Sequence, residues 1–81
     1  MNKLNLSKVH NFVQFKEIYI KVVQEIVQGR ISSGQTQKDV ADWIKVERRR
    51  IIQFEKKEKI DIELFLLLAD KFDIEFNISI K

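Results

Sequence analysis

From Glu17 to Arg30 the apolar residues return every three or four positions. Ile18, Val22 and Ile26 lie on one line, with Tyr19, Val23 and Val27 widening it. A period near 3.6 predicts a helix buried along a broad face. Gly29 and Gly34 then bracket a loop, ISSG, and Thr36 is placed to cap the next helix over the free amides of its first turn. Within 36–44, Val40, Ala41 and Ile44 make an inward stripe, and Lys45 and Val46 form a turn. A further helix, about 47–55, directs Ile51 and Phe54 inward and turns Arg48, Arg49, Ile52 and Gln53 outward. The polar run KKEK at 56–59 reads as a solvated loop. Asp61 is the N-cap expected for a last helix, about 62–72, which offers Ile62, Phe65, Leu66, Leu68, Ala69 and Phe72 to the core.

The period changes at the C-terminus. Ile74, Phe76, Ile78 and Ile80 alternate with Glu75, Asn77, Ser79 and Lys81, which predicts a half-buried strand. A lone strand leaves its backbone groups unpaired. It can pair with residues 3–6 of the same chain, or with a second copy in an antiparallel ribbon about a twofold axis; the shared ribbon is the preferred reading. Residues 1–16 carry the weakest pattern, although Ser7 can cap a helix that buries Val9, Phe12 and Val13.

Composition narrows the chemistry. At 81 residues, a single core is only just sufficient. With no cysteine and one histidine, His10, neither a disulfide nor a Cys/His metal site can reinforce it, so oligomerisation is expected to contribute stability. No apolar run reaches the length of a membrane span, and the N-terminus lacks the apolar core of a signal peptide, so a cytoplasmic location is expected. The acids form no shared cleft pattern, His10 has no triad partner, and no phosphate-cradling glycine loop occurs, so neither an enzyme nor a bound cofactor is expected.

Charge is the telling feature. Between Lys45 and Lys59 stand seven basic residues and three acids, while the rest of the chain has eight and nine. The whole positive excess therefore sits on one segment, and three consecutive arginines open its helix. Two short helices joined by a tight turn, the second led by arginines, suit entry into a DNA major groove, where arginine forks read guanine and neutralise phosphate.

The positions Arg30, Gly34, Thr36, Gln37, Ala41, Ile44, Ile51, Phe54 and Glu55, with IELFLLLADKFDIEF downstream, resemble the Xre/Cro-like helix-turn-helix family over about residues 18–76. That family includes lambdoid phage repressors and the DNA-binding domains of antitoxins. The resemblance implies an all-α, lambda repressor-like bundle of four to five helices with a helix-turn-helix, here followed by the short C-terminal strand paired across a dimer. The expected division is an N-terminal extension (1–16), the helix-turn-helix domain (17–73) and a dimerising strand (74–81) that carries Ile74, Phe76, Ile78 and Ile80. Two positions depart from the family: its turn glycine is Lys45 here, and its Ser or Thr cap on the recognition helix is Glu47, a weaker cap that still suits the positive helix end.

Family members touch bases from the outward first turn of the recognition helix, which assigns base contacts to Arg48 and Arg49, with Gln53 one turn on. Ile52 either meets a thymine methyl or packs against Lys45 or Trp43. Phosphate contacts fall to Gln37 and the amides around Thr36, and to Lys38, Lys45, Arg50, Lys56 and Lys57. The resemblance also implies a partly buried Arg30–Glu55 bridge between the first helix and the recognition helix. Trp43, Leu64 and Leu67 fall where relatives are polar. Their cover is the N-terminal extension, a second subunit, or a separate partner such as a toxin.

These expectations converge on a homodimeric transcriptional repressor that binds an inverted repeat in double-stranded DNA. The alternatives are an antitoxin that also binds a cognate toxin, and an interaction module that keeps the fold without binding DNA.

Overall fold

The computed structural model describes the backbone of residues 6–76 and the side chains of residues 13–76. It is all-helical in that range, with α1 Leu6–Ser32, α2 Gln37–Ile44, α3 Arg48–Glu55 and α4 Ile62–Lys71. At about 1.5 Å per residue the 27 residues of α1 span about 40 Å. That accounts for the long dimension of a molecule measuring 43 × 21 × 17 Å. α2 and α3 pack on each other, and α1 receives α3 and α4.

α1 is longer at both ends than its apolar pattern predicts. It runs without a break across residues 16 and 17, where an extension was expected to end. It also passes through Gly29, which lies inside the helix rather than at its close. Clearance explains that glycine: a Cβ there would stand 3.2 Å from the Phe72 ring, so its absence lets the end of α4 settle on α1. The loop begins only at Ser33 and turns at Gly34, whose φ of +76° is one that side chains rarely adopt.

Each later helix begins at a recognisable signal. Thr36 caps α2 through a reciprocal pair: the Asp39 amide donates to Thr36 Oγ1 at 3.0 Å, and the Thr36 amide donates to Asp39 Oδ2 at 2.8 Å. These bonds to the Thr36 backbone and hydroxyl hold the Asp39 carboxyl below its usual pKa range. Asp61 caps α4, accepting from the Leu64 amide at 3.2 Å. α3 starts at Glu47, which is extended and makes no side-chain cap bond.

The core joins Tyr19, Val22, Val23 and Ile26 of α1 to Val40 and Ala41 of α2, Ile51 and Phe54 of α3, and Leu64, Phe65, Leu68 and Ala69 of α4. Tyr19 is its aromatic hinge. Its ring stacks on Phe65 at 5.1 Å and meets Phe54 edge-on at 6.2 Å. Its hydroxyl accepts from the Asp61 amide at 2.8 Å, and burial pushes the phenol's pKa up.

Three inward assignments change. Leu64, expected on the outer face, is fully buried, whereas Ile62 and Leu66 are about half exposed. Seven of the ten α4 residues are apolar, so its period does not select a face; contact with α1 and α3 does. Val13, expected in the core, is also exposed, because it lies on the side of α1 away from Tyr19.

The first residues of the expected C-terminal strand differ as well. Residues 74–76 form no strand, and Ile74 and Phe76 pack against their own chain's core, with Phe76 4.8 Å from Phe65. At these two positions the alternation serves the α1–α4 groove. Ile78 and Ile80 lie outside the described residues, as do residues 3–5 of the alternative strand pairing.

Lys45 closes α2 in the left-handed region, at φ 62° and ψ 50°. The Val46 amide then reaches back to the Ala41 carbonyl at 2.9 Å. A Cβ in this conformation costs about 1 kcal/mol. Lys45→Gly is expected to raise stability by about that amount, read as a higher urea midpoint at unchanged slope, with Lys45→Ala close to the natural protein.

Candidate nucleic-acid interface

The cation-rich surface is built on α3. Ile51 and Phe54 anchor it in the core and fix which residues can face solvent. Arg48 and Arg49, in the first turn, are exposed, and neither makes an ion pair with a described residue. Three features make this turn electrostatically unsatisfied: the positive end of the helix dipole, the absence of a side-chain cap and the lack of an acid in the first turn. An anion brought against it would be attracted. Lys45 in the preceding turn and Lys56 just past α3 are exposed as well, and neither is ion-paired to a described residue.

Arg50 has a different setting from the phosphate role expected of it. Its Nε and Nη2 each donate to Asp61 at 2.9 Å, and Nη2 also donates to Glu63 at 2.8 Å. These carboxylates raise the guanidinium's pKa above its ordinary value and offset its charge. Arg50 thus ties α3 to the start of α4. This was not legible in the sequence, because the acids lie 11 and 13 residues downstream, beyond a loop.

Other expected contacts are also partly engaged. Lys38 pairs with Asp42 at 2.9 Å, one helical turn on. The Gln37 amide donates to Glu55 Oε1 at 2.9 Å. Lys57, itself left-handed at φ 60°, is exposed and makes one long bond to the Glu55 carbonyl. Ile52 is half-buried. It lines a cavity of about 460 Å³ with Val27, Gln37 and Lys56, among others, while Trp43 and Lys45 do not line it. Gln53, also half-buried, borders a smaller recess beside Arg50 and Lys59.

Arg30 and Glu55 form the frame beneath this surface. Arg30 Nε donates to Glu55 Oε2 at 2.7 Å and Nη2 donates to Oε1 at 3.1 Å, a two-pronged contact with both side chains largely buried. Arg30 Nη1 also donates to the Gln35 carbonyl at 3.0 Å. One ion pair therefore fixes the end of α1, the entry to α2 and the end of α3.

Among the described residues there is no group of three or more His, Cys, Asp or Glu that could hold a metal ion. No described helix is long and apolar enough to cross a membrane. Comparisons of this chain with family models, with curated proteins and with solved structures give no match.

Breaking the buried pair from one side should be costly. Arg30→Met is expected to lose about 3 kcal/mol, since it strands the Glu55 charge, and Arg30→Met with Glu55→Leu should recover most of that. Urea unfolding of the two variants checks the difference.

The second clamp predicts a pH effect. Hydrogen bonds from Arg50 hold the Asp61 carboxyl below its ordinary pKa, aided by the Leu64 amide and opposed by partial burial. Its contribution is therefore complete above the unfolded value of about 3.9 and disappears as pH falls through the lower folded value. Asp61→Asn, which keeps the cap and loses the ion pair, should flatten the fall in stability below about pH 4. Unfolding curves at stepped pH measure that slope.

Proposed function

We propose that this chain is a sequence-specific double-stranded-DNA-binding protein of the Xre/Cro-like helix-turn-helix kind, acting as a homodimeric transcriptional repressor. One observation carries the reading. Arg48 and Arg49 stand exposed, without an ion pair to any described residue, at the uncapped start of α3, while the arginine beside them is tied to carboxylates. Three cations of equal sequence prominence thus divide into two that are available and one that is structural.

The surrounding geometry supports the same reading. A left-handed residue separates α2 from α3, and Ile51 and Phe54 are buried beneath the cationic turn. The Arg30–Glu55 bridge holds α3 from behind. With α3 in the major groove, Arg48 and Arg49 donate to guanine O6 and N7, and Gln53 follows one turn on. Lys45, Lys56 and Lys57 lie against phosphates, and binding releases counterions. Two subunits place their α3 helices in successive grooves roughly 34 Å apart, on an inverted repeat. Occupation of such an operator excludes polymerase.

Selection of bound duplexes from a random pool, followed by titration across salt, tests this. An inverted repeat should emerge. On that site Arg48→Ala and Arg49→Ala should each lose about 1–3 kcal/mol of discrimination at one base pair. Lys56→Ala should instead weaken all sequences alike and reduce the salt slope by about one. If no sequence is enriched and binding stays weak, the repressor reading fails and an interaction module takes its place.

A further inference from the structure

We propose that the outward face of α4 is where a second copy of this chain docks, with the two α4 helices antiparallel and Leu67 on the twofold axis. This deepens the homodimer part of the proposed function and rests on that reading for its purpose. Two of the four tail residues expected to make the dimer, Ile74 and Phe76, are engaged within their own chain and are not available as a shared seam.

α4 supplies one. A helix apolar on both faces is ordinarily covered on both, and α4 covers only the face carrying Leu64, Phe65, Leu68 and Ala69. Leu67 remains 41% exposed on the opposite side. Glu63, Leu67 and Lys71 follow one another at four-residue spacing and so form a single ridge along that side. Trp43 extends the ridge beyond Lys71: it is 42% exposed, packs edge-on to Phe72 at 5.8 Å, and has Lys71 Nζ 4.5 Å from its ring centroid.

Charge along the ridge selects the occupant. Along the ridge itself Glu63 is acidic, Leu67 apolar and Lys71 basic, with exposed Asp70 flanking the basic end. Placed antiparallel about Leu67, Glu63 of each copy meets Lys71 of the other, and the contact is made twice. A parallel arrangement would set Glu63 against Glu63. The ridge is thus complementary to itself in one orientation. Glu63 already accepts from Arg50, yet its side chain is 69% exposed, and a carboxylate has room for a second cation.

The test uses the full chain in DNA-free solution, so that loss of the dimer and loss of DNA binding read separately. Sedimentation equilibrium should give twice the 9.7 kDa chain mass. Leu67→Glu should weaken dimerisation at least about tenfold with helical content retained. Glu63→Lys should weaken it as well, and Glu63→Lys with Lys71→Glu should restore it, because the swap re-creates the pairing. This double swap decides the matter even if Leu67→Glu folds poorly. A natural chain that stays monomeric at every concentration overturns the proposal. So does a dimer indifferent to Leu67→Glu, or a charge swap that fails to restore what Glu63→Lys loses.

Discussion

The bridge between Arg30 and Glu55 is the constraint on which the other parts depend. Helices of eight residues, such as α2 and α3, are too short to persist alone in water. They hold their relative angle because a buried carboxylate must keep its partners. Glu55 receives two donors from Arg30 and one from Gln37, and Arg30 also reaches the Gln35 carbonyl. Three chain segments converge on one pair of charges. Apolar packing of Ile51 and Phe54 supplies attraction without direction, whereas the bridge fixes orientation.

A second ionic clamp stands at the opposite end of α3. Arg50 binds Asp61 and Glu63, and Asp61 also caps α4 and donates its own amide to Tyr19. The helix is therefore held at both ends, to α1 and α2 at its C-terminus and to α4 near its N-terminus. Arg48 and Arg49 add nothing to either clamp. They concentrate positive charge at a helix end that already repels it, a cost in the isolated fold that an anion placed there would relieve.

How much could be read beforehand depended on the range of the interaction. Thr36 and Asp61 were legible as caps, because capping joins residues three apart. The turn at Lys45 was legible from the interruption between two apolar stripes. The four helices followed from their periods, except where the pattern carried no information. α4 is apolar nearly all round, so Leu64 could not be told from Leu66 without knowing what packs on it. Gly29 looked like a helix end, since nothing local reveals a Phe72 ring arriving from 43 positions later. Arg50 looked like its neighbours for the same reason: its carboxylates come from across a loop. The alternation at 74–76 was real, but it filled an intramolecular groove rather than a ribbon.

Among the described residues, side-chain-bearing Lys45, Lys57 and Asp73 occupy left-handed backbone where many chains place glycine. The consequence lies in the denatured ensemble. Glycine there would widen the conformations open to the unfolded chain, and each substituted residue narrows them. Aspartate tolerates the conformation better than lysine, because its short side chain can bond locally. With two glycines and no proline in the whole sequence, native strain at a few surface turns is exchanged for a smaller entropy loss on folding. At Asp73, which lies outside the cationic surface, stability can therefore be adjusted while the core and that surface stay unchanged.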